Sequence, residues 1–151
     1  MSELMYSGRD RRFYTAIVYD KCSWIGETVE LNLGGNLSAG VRDKEDGGWY
    51  NTTTGYYWRK GNIENPTPRA YHNCQVALHF NIVRLGEAYM NLAEAYLLKH
   101  DVPNAVKALN MTRTIHGGLS ESTAATEEEA WTDYIRERNC ELTNEGGDIY
   151  Y

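Results

Sequence analysis

The sequence predicts a mainly α-helical protein, and three observations support that prediction. Residues 81–99 and 102–115 each repeat apolar side chains at intervals of three and four, the period of one helical face. The polar break Lys99–Asp101 separates them, so the two helices should form a hairpin with a tight turn. Residues 127–143 show the same period and predict a third helix.

The N-terminal part predicts short strands and a long loop. Phe13–Tyr19 is rich in β-branched and aromatic residues, which favours a buried strand. Glu27–Leu33 alternates polar and apolar residues, as a half-buried strand does. Residues 34–55 consist largely of Gly, Asn, Asp, Ser and Thr and predict a loop. A further strand is predicted at Tyr56–Lys60.

The first helix of the hairpin carries two apolar stripes, which indicates neighbours on two sides. One stripe comprises Ile82, Leu85, Gly86, Tyr89, Ala93 and Tyr96, and the other comprises Val83, Met90 and Leu97. Small residues in this helix allow close approach of another backbone, and the pair Ala95–Tyr96 before the turn is similar to a tetratricopeptide-type hairpin. One such hairpin cannot bury both its faces alone, so more repeats or other elements should pack over it.

The ends of the second and third helices are marked by capping residues. Asp101 is the predicted N-cap of the second helix, and Gly117–Gly118 ends it. Thr126 and Glu129 predict a capping box at the start of the third helix. The predicted core face of that helix contains Ala130, Trp131, Tyr134, Ile135, Arg138 and Leu142.

Three glutamates on the third helix form a ladder of like charges. Glu137, Glu141 and Glu145 repeat at four-residue spacing, which costs a few tenths of a kcal/mol per pair on an isolated helix. We expect arginines to offset this cost, with Arg84 or Arg113 reaching the acids from the hairpin. The predicted structural ion-pair residues are Arg84, Glu137, Arg138 and Glu141. The alternatives are a divalent-metal site or a glycoside hydrolase that uses two of the three glutamates across an open cleft.

Composition and motifs exclude several other functions. The net charge of −6 opposes a nucleic-acid-binding surface. Neither an apolar run of membrane-spanning length nor a leader is recognisable, so the chain as written is expected to carry no signal or anchor. The three cysteines and four histidines lack metal-ligand spacing, and hydrolase and phosphate-loop motifs are missing. Catalytic residues, metals and cofactors are therefore not predicted.

Five blocks of sequence, in this order and spacing, resemble the C-terminal half of the SusD/RagB family. They are Arg9–Tyr19, Trp24–Gly26, Thr54–Lys60, Ile82–Ala95 and Ile135–Gly146. The resemblance departs from the family pattern at Arg11, Asn139–Cys140 and Asp148. It implies a mostly helical, tetratricopeptide-based fold. It also implies one SusD-like C-terminal domain over 1–151, with a strand and loop portion at 1–70 and a helical portion at 71–151, within a larger protein.

The same resemblance implies a Bacteroidetes outer-membrane lipoprotein at the cell surface. Such a protein captures oligosaccharide or polysaccharide without catalysis and passes it to a SusC-like TonB-dependent transporter. Sugar faces stack on aromatic rings, so exposed aromatic residues are the natural contacts. The predicted glycan-binding residues are Trp49, Tyr50, Trp58 and Tyr56, although strand alternation would equally allow Trp58 in the core. The alternative function is a protein-interaction module that docks on the transporter without contacting glycan.

Overall fold

The computed structural model describes residues 5–31, 35, 54–62 and 81–145. Within these ranges the helices are α1 (Arg11–Ala16), α2 (Leu85–Leu97), α3 (Val102–Ile115) and α4 (Glu127–Glu141). The strands are β1 (Ile17–Val18), β2 (Ser23–Trp24), β3 (Glu27–Thr28) and β4 (Tyr57–Trp58). The fold is mainly helical with a small strand portion in the N-terminal half, as the sequence predicts. None of the helices in the described ranges has the length and apolar character that crossing a membrane requires.

Internal contacts divide the chain into two compact units. Of the described residues, 5–9 and those from Tyr14 to Asn62 belong to the first unit. Asp10–Phe13 and residues 81–145 belong to the second. Helix α1 is therefore shared between the units. A single domain over 1–151, with portions 1–70 and 71–151, stays a prediction.

The predicted strand over Phe13–Tyr19 is wrong for its first four residues, which are helical. The reason is a cap that outweighs the β-propensity of these residues. Asp10 precedes α1, its side chain accepts a hydrogen bond from the backbone N–H of Arg12 at 2.8 Å, and its carbonyl accepts one from Phe13 at 3.0 Å. The strand begins only at β1.

The first unit contains two small antiparallel sheets. β1 pairs with β4, and β2 pairs with β3 through a tight turn. The turn residues Ile25 and Gly26 both have positive φ, at 50° and 80°, as a two-residue hairpin of this hand requires. In the described part of the chain, pairing is limited to β3 within the predicted strand Glu27–Leu33 and to β4 within the predicted strand Tyr56–Lys60. The last two residues of the first prediction lie outside the described residues. The small core comprises Val18, Cys22 and Val29.

The second unit is built on the α2–α3 hairpin, with α4 packed against both helices. Its core comprises Met90, Ala93, Leu97, Ala105, Ala108, Leu109, Ala130 and Tyr134. The buried face of α2 combines members of both predicted stripes, namely Gly86, Met90, Ala93 and Leu97. The prediction of two separate stripes is wrong because α2 begins at Leu85. Ile82 and Val83 therefore precede the helix, and both are exposed.

The two N-caps predicted in the second unit, Asp101 and Thr126, are confirmed. The Asp101 side chain accepts a hydrogen bond from the backbone N–H of Asn104 at 3.3 Å. At the start of α4, Thr126 accepts from the backbone N–H of Glu129 at 3.3 Å, and the Glu129 carboxylate accepts from the backbone N–H of Thr126 at 3.1 Å. The capping box thus satisfies two backbone N–H groups that would otherwise be unpaired, those of Thr126 and Glu129.

We expect Thr126→Ala to lower the free energy of unfolding by about 1 kcal/mol, because it removes the side-chain half of the capping box. Thr132→Ala is the matched control. The Thr132 hydroxyl donates to the Glu128 carbonyl inside α4, and alanine favours a helix interior, so this change should be neutral or slightly stabilising. Urea denaturation followed by circular dichroism measures both variants. Equal effects would contradict the assigned role of Thr126.

Candidate functional site

The second unit contains a cluster of buried carboxylates held by arginine. Glu137 and Glu141, on adjacent turns of α4, are only 1% and 2% exposed. Arg12 bridges them, because its Nη1 donates to Glu137 Oε1 at 2.5 Å and to Glu141 Oε2 at 2.8 Å. The Arg12 Nη2 also donates to Asp10 Oδ2 at 2.5 Å. One guanidinium therefore offsets much of the repulsion between two acids.

A second arginine, a threonine hydroxyl and a histidine ring complete this carboxylate cluster. Arg84, the residue before α2, donates to the Glu141 carboxylate and to the Glu141 backbone carbonyl. Its Nε donates to Glu145 Oε2 at 2.6 Å. The Thr112 hydroxyl donates to Glu137 Oε1 at 2.7 Å, and His116 Nδ1 lies 2.9 Å from Glu141 Oε1. Residues from three other segments of the chain thus meet at the acids of α4.

The cluster holds Glu141 in its ionised form. Burial by itself would raise the pKa of the Glu141 carboxyl, but hydrogen bonds from Arg84, Arg12 and His116 outweigh burial and lower it to about 2. Burial lowers the pKa of the Arg84 guanidinium, but hydrogen bonds to Glu145 and Glu141 outweigh burial and raise it. Glu141 is therefore a fixed negative charge at neutral pH.

Two glycines allow the arginines and acids to approach the helices closely. A Cβ on Gly86 would overlap the Glu141 carboxylate and the Arg84 guanidinium. A Cβ on Gly117 would lie 2.7 Å from Arg12 Nη2, and the backbone N–H of Arg11 donates to the Gly117 carbonyl at 3.0 Å. Glycine is required at both positions because a Cβ would collide with these neighbouring groups, and not because the backbone has a positive φ angle.

The remaining predicted ion-pair residue, Arg138, lies in a different group. Its Nη1 donates to Asn91 Oδ1 at 3.0 Å and to the Tyr134 hydroxyl at 3.1 Å, and it is 3.9 Å from the Glu94 carboxylate. The Tyr134 hydroxyl donates to Glu94 Oε2 at 2.7 Å. The Arg138 group thus links α4 to α2.

Sequence reasoning missed Asp10 and Arg12, whose charges are separated from the α4 acids by more than 120 residues. The only available signal was the density of charges in Arg9–Arg12. Arg113, considered as a cation for the acids, instead donates to the backbone carbonyl of Ser120 at 2.7 Å.

The carboxylate cluster is poorly suited to chemistry on a ligand. Glu137 and Glu141 are buried and bonded to arginine, whereas a hydrolase needs its two acids in an open cleft. A pKa near 2 also prevents Glu141 from acting as a general acid at neutral pH. Across the described ranges, His, Cys, Asp and Glu side chains do not gather in any group of three or more that could hold a metal ion. The carboxylate oxygens of Glu137 and Glu141 are bonded to other groups of the protein itself.

Two of the predicted glycan-binding residues, Trp58 and Tyr56, lie in the first unit. Trp58, on β4, is 50% exposed. Tyr56 is half-buried, and its ring meets Tyr6 edge to face with centroids 6.3 Å apart. The other two predicted glycan-binding residues, Trp49 and Tyr50, lie outside the described residues.

Trp24 is half-buried on β2. The Arg59 guanidinium lies 5.5 Å from the centre of the Trp24 ring. Arg59 also donates from Nη1 to the Tyr14 carbonyl at 3.2 Å. The Trp24 ring is thus covered by a cation, whereas the Trp58 side chain is half exposed.

Together, the α2–α3 hairpin, the acidic helix α4 and the carboxylate cluster define a tetratricopeptide-like helical scaffold. The sequence model of the SusD family matches residues 2–150, and the chain belongs to that family. The protein is similar in structure to a SusD-like protein from Bacteroides fragilis, with a TM-score of 0.77 and 29% sequence identity. That match covers 95% of this chain and 27% of the other, so this chain spans about a quarter of its length. No curated protein matches the sequence.

We expect the stability of the protein to fall in acid through Glu141. Because its folded-state pKa is depressed, its contribution is complete above its usual pKa of 4.5 and is lost as the pH falls towards about 2. The loss should be on the order of 3 kcal/mol in the free energy of unfolding. Denaturant unfolding between pH 5 and pH 2 should show a shallower decline for Glu141→Gln than for the wild type. The exposed change Glu121→Gln is the control, and parallel curves for all three proteins would refute the expectation.

We expect Gly86→Ala to destabilise the protein by about 1–3 kcal/mol through overpacking, although alanine is normally about 1 kcal/mol better than glycine inside a helix. The same substitution in a Glu141→Ala background should cost less, because one overlapping group is gone and the Arg84 guanidinium, which the Cβ would also overlap, is no longer held there by the Glu141 carboxylate. A double-mutant cycle by chemical denaturation measures this coupling. A cost that is unchanged in the second background would show that Glu141 is not the cause.

Proposed function

We propose that this chain takes part in the non-catalytic capture of oligosaccharide or polysaccharide at the cell surface. In this proposal the captured glycan is delivered to a SusC-like TonB-dependent transporter in the outer membrane. The observation that carries the proposal is the half-exposed Trp58 on a SusD-family chain. Location at the outer membrane and the transporter partner follow from family membership and are part of the proposal.

Trp58 has the properties of a preformed platform for a sugar ring. Its position on the backbone is fixed, because β4 pairs with β1, with Ile17 opposite Trp58. The Trp58 carbonyl accepts a hydrogen bond from Asn62 Nδ2 at 2.6 Å. An aromatic side chain on an ordered strand loses little conformational freedom when a ligand binds. The entropy lost on binding therefore reduces the binding free energy only slightly. The ring offers an apolar face, and indole N–H offers a donor for a hydroxyl.

The predicted binding residues Trp49, Tyr50 and Tyr56 are included with Trp58 in this proposal. Tyr56 precedes Trp58 by two residues. Its hydroxyl shares a hydrogen bond with the Tyr6 side chain, and a tyrosine hydroxyl can both donate and accept, so it can also bond a sugar hydroxyl. Binding by rings and hydroxyls requires no proton transfer. The absence of catalysis is supported by the burial of Glu137 and Glu141, which removes them from contact with a ligand.

We expect Trp58→Ala to weaken glycan binding by about tenfold, equivalent to about 1.4 kcal/mol, because a stacking face is lost. Isothermal titration calorimetry with a panel of plant, host and microbial oligosaccharides identifies the ligand and compares the variant with the wild type. Ile82→Ala, which removes an exposed apolar side chain in the second unit, is the matched control and should bind normally.

Two outcomes would contradict the proposal. Trp58→Ala could bind with wild-type affinity, or the wild type could give no heat with any glycan in the panel. Capture of a SusC-like transporter by a chain that binds no glycan would instead support the protein-interaction alternative.

A further inference from the structure

A tight turn directly follows Trp58 at the end of β4. The Asn62 backbone N–H donates to the Arg59 carbonyl at 3.1 Å, which closes a turn of four residues. The third residue of this turn, Gly61, has a φ of 83°, a left-handed value that glycine adopts without strain. The Arg59 backbone N–H donates to the Ala16 carbonyl at 2.8 Å. The backbone that follows Trp58 is therefore held by hydrogen bonds at both ends of the turn.

The turn brings the Asn62 side chain back to the residue that carries the exposed ring. Asn62 Nδ2 donates to the Trp58 backbone carbonyl at 2.6 Å. Because a carbonyl oxygen can only accept, this bond fixes the orientation of the amide. Asn62 Oδ1 and the second N–H of Nδ2 are left over, and neither bonds another group in the described part of the chain. Asn62 is exposed, so one acceptor and one donor are accessible beside Trp58.

The Trp58 ring and the Asn62 amide together match the chemistry of a neutral sugar. One face of a pyranose presents C–H groups that stack on an aromatic ring, and its edge presents hydroxyls that both donate and accept. An asparagine amide offers a donor and an acceptor and carries no charge, so it can bond two adjacent hydroxyls at once. The bond to the Trp58 carbonyl already restricts this side chain, so binding costs little further conformational entropy.

Two other occupants of this site fit the observations less well. An apolar protein surface packed against Trp58 would bury the amide donor and acceptor without partners, which is unfavourable. An anionic sugar would need a cation, but the Arg59 guanidinium lies 5.5 Å from the centre of the Trp24 ring and donates to the Tyr14 carbonyl. Lys60 also has interactions of its own. An uncharged ligand rich in hydroxyls satisfies the amide both as donor and as acceptor.

We propose that Asn62 is a specificity-determining residue of the glycan site at Trp58. It selects a neutral pyranose that has two adjacent hydroxyls at the edge of the ring stacked on Trp58. This inference rests on the proposed function, because it needs a glycan at Trp58. It adds the class of sugar and the residue that recognises that class.

Isothermal titration calorimetry with neutral hexasaccharides of glucose, mannose and galactose tests the role of Asn62. Hexagalacturonate is the anionic probe. Each neutral hexasaccharide that binds is compared with derivatives that lack one hydroxyl. For the wild type, removal of either of two adjacent hydroxyls should weaken binding about tenfold, because a hydrogen bond to Asn62 is lost. Asn62→Ala should bind the parent sugar about tenfold more weakly and should no longer distinguish it from those two derivatives.

Asn139→Ala is the matched control, because it removes an exposed amide from α4 and should bind every probe like the wild type. Asn62 is itself exposed, so the circular dichroism spectrum of Asn62→Ala should be unchanged. Equal weakening of the parent sugar and all its derivatives by Asn62→Ala would overturn the inference, because Asn62 would then only hold the turn. A wild type that distinguishes none of the derivatives, or that binds hexagalacturonate alone, would also overturn it.

Failure of this inference can be told apart from failure of the proposed function. Weaker binding by Trp58→Ala together with unchanged binding by Asn62→Ala would overturn only the role of Asn62. A wild type that binds none of the glycans would overturn both.

Discussion

The second unit depends on the neutralisation of buried acids on α4 by arginines from distant parts of the chain. Removing one partner of a buried ion pair typically costs about 3–5 kcal/mol, because an uncompensated charge remains in the interior. Arg12 and Arg84 each contact Glu141, so the loss of either would leave this acid with fewer donors. Such a cluster specifies one arrangement, since few other placements of these chains would satisfy the charges. The cluster therefore helps to select the position of α4.

The composition of α4 explains why this specification is needed. Among its buried residues, only Ala130 and Tyr134 belong to the apolar core, whereas Glu137, Arg138 and Glu141 are charged. A helix with so little apolar surface gains little from burial alone. The acids bring α4 onto Arg12 and Arg84, and Arg138 adds bonds to α2 through Asn91. The close approach at Gly86 and Gly117 follows from the need to fit guanidinium groups against the helix backbones.

The helical part of the fold was predictable because its signals are local. Asp101 and Thr126 act within one turn of the helices they start, and the spacing of apolar residues extends over several turns. The strand predicted at Phe13–Tyr19 failed over its first four residues, because a single capping residue outweighed the propensity of the residues that follow. The role of Arg12 could not be predicted from spacing, since its partners lie more than 120 residues away. Arg84 was foreseen because the like-charged ladder on α4 requires a cation, and the hairpin offers few.

The distribution of side-chain chemistry favours capture over cleavage. Hydrolysis of a glycan needs a carboxyl that can gain and lose a proton next to the sugar. In the carboxylate cluster the acids are ionised and bonded to guanidinium groups, so their oxygens are engaged within the protein. Stacking needs only an exposed ring on an ordered backbone, and Trp58 on β4 provides one. The acids and the exposed ring belong to different units, so the ring proposed to stack on sugar and the ion pairs that hold α4 do not share side chains.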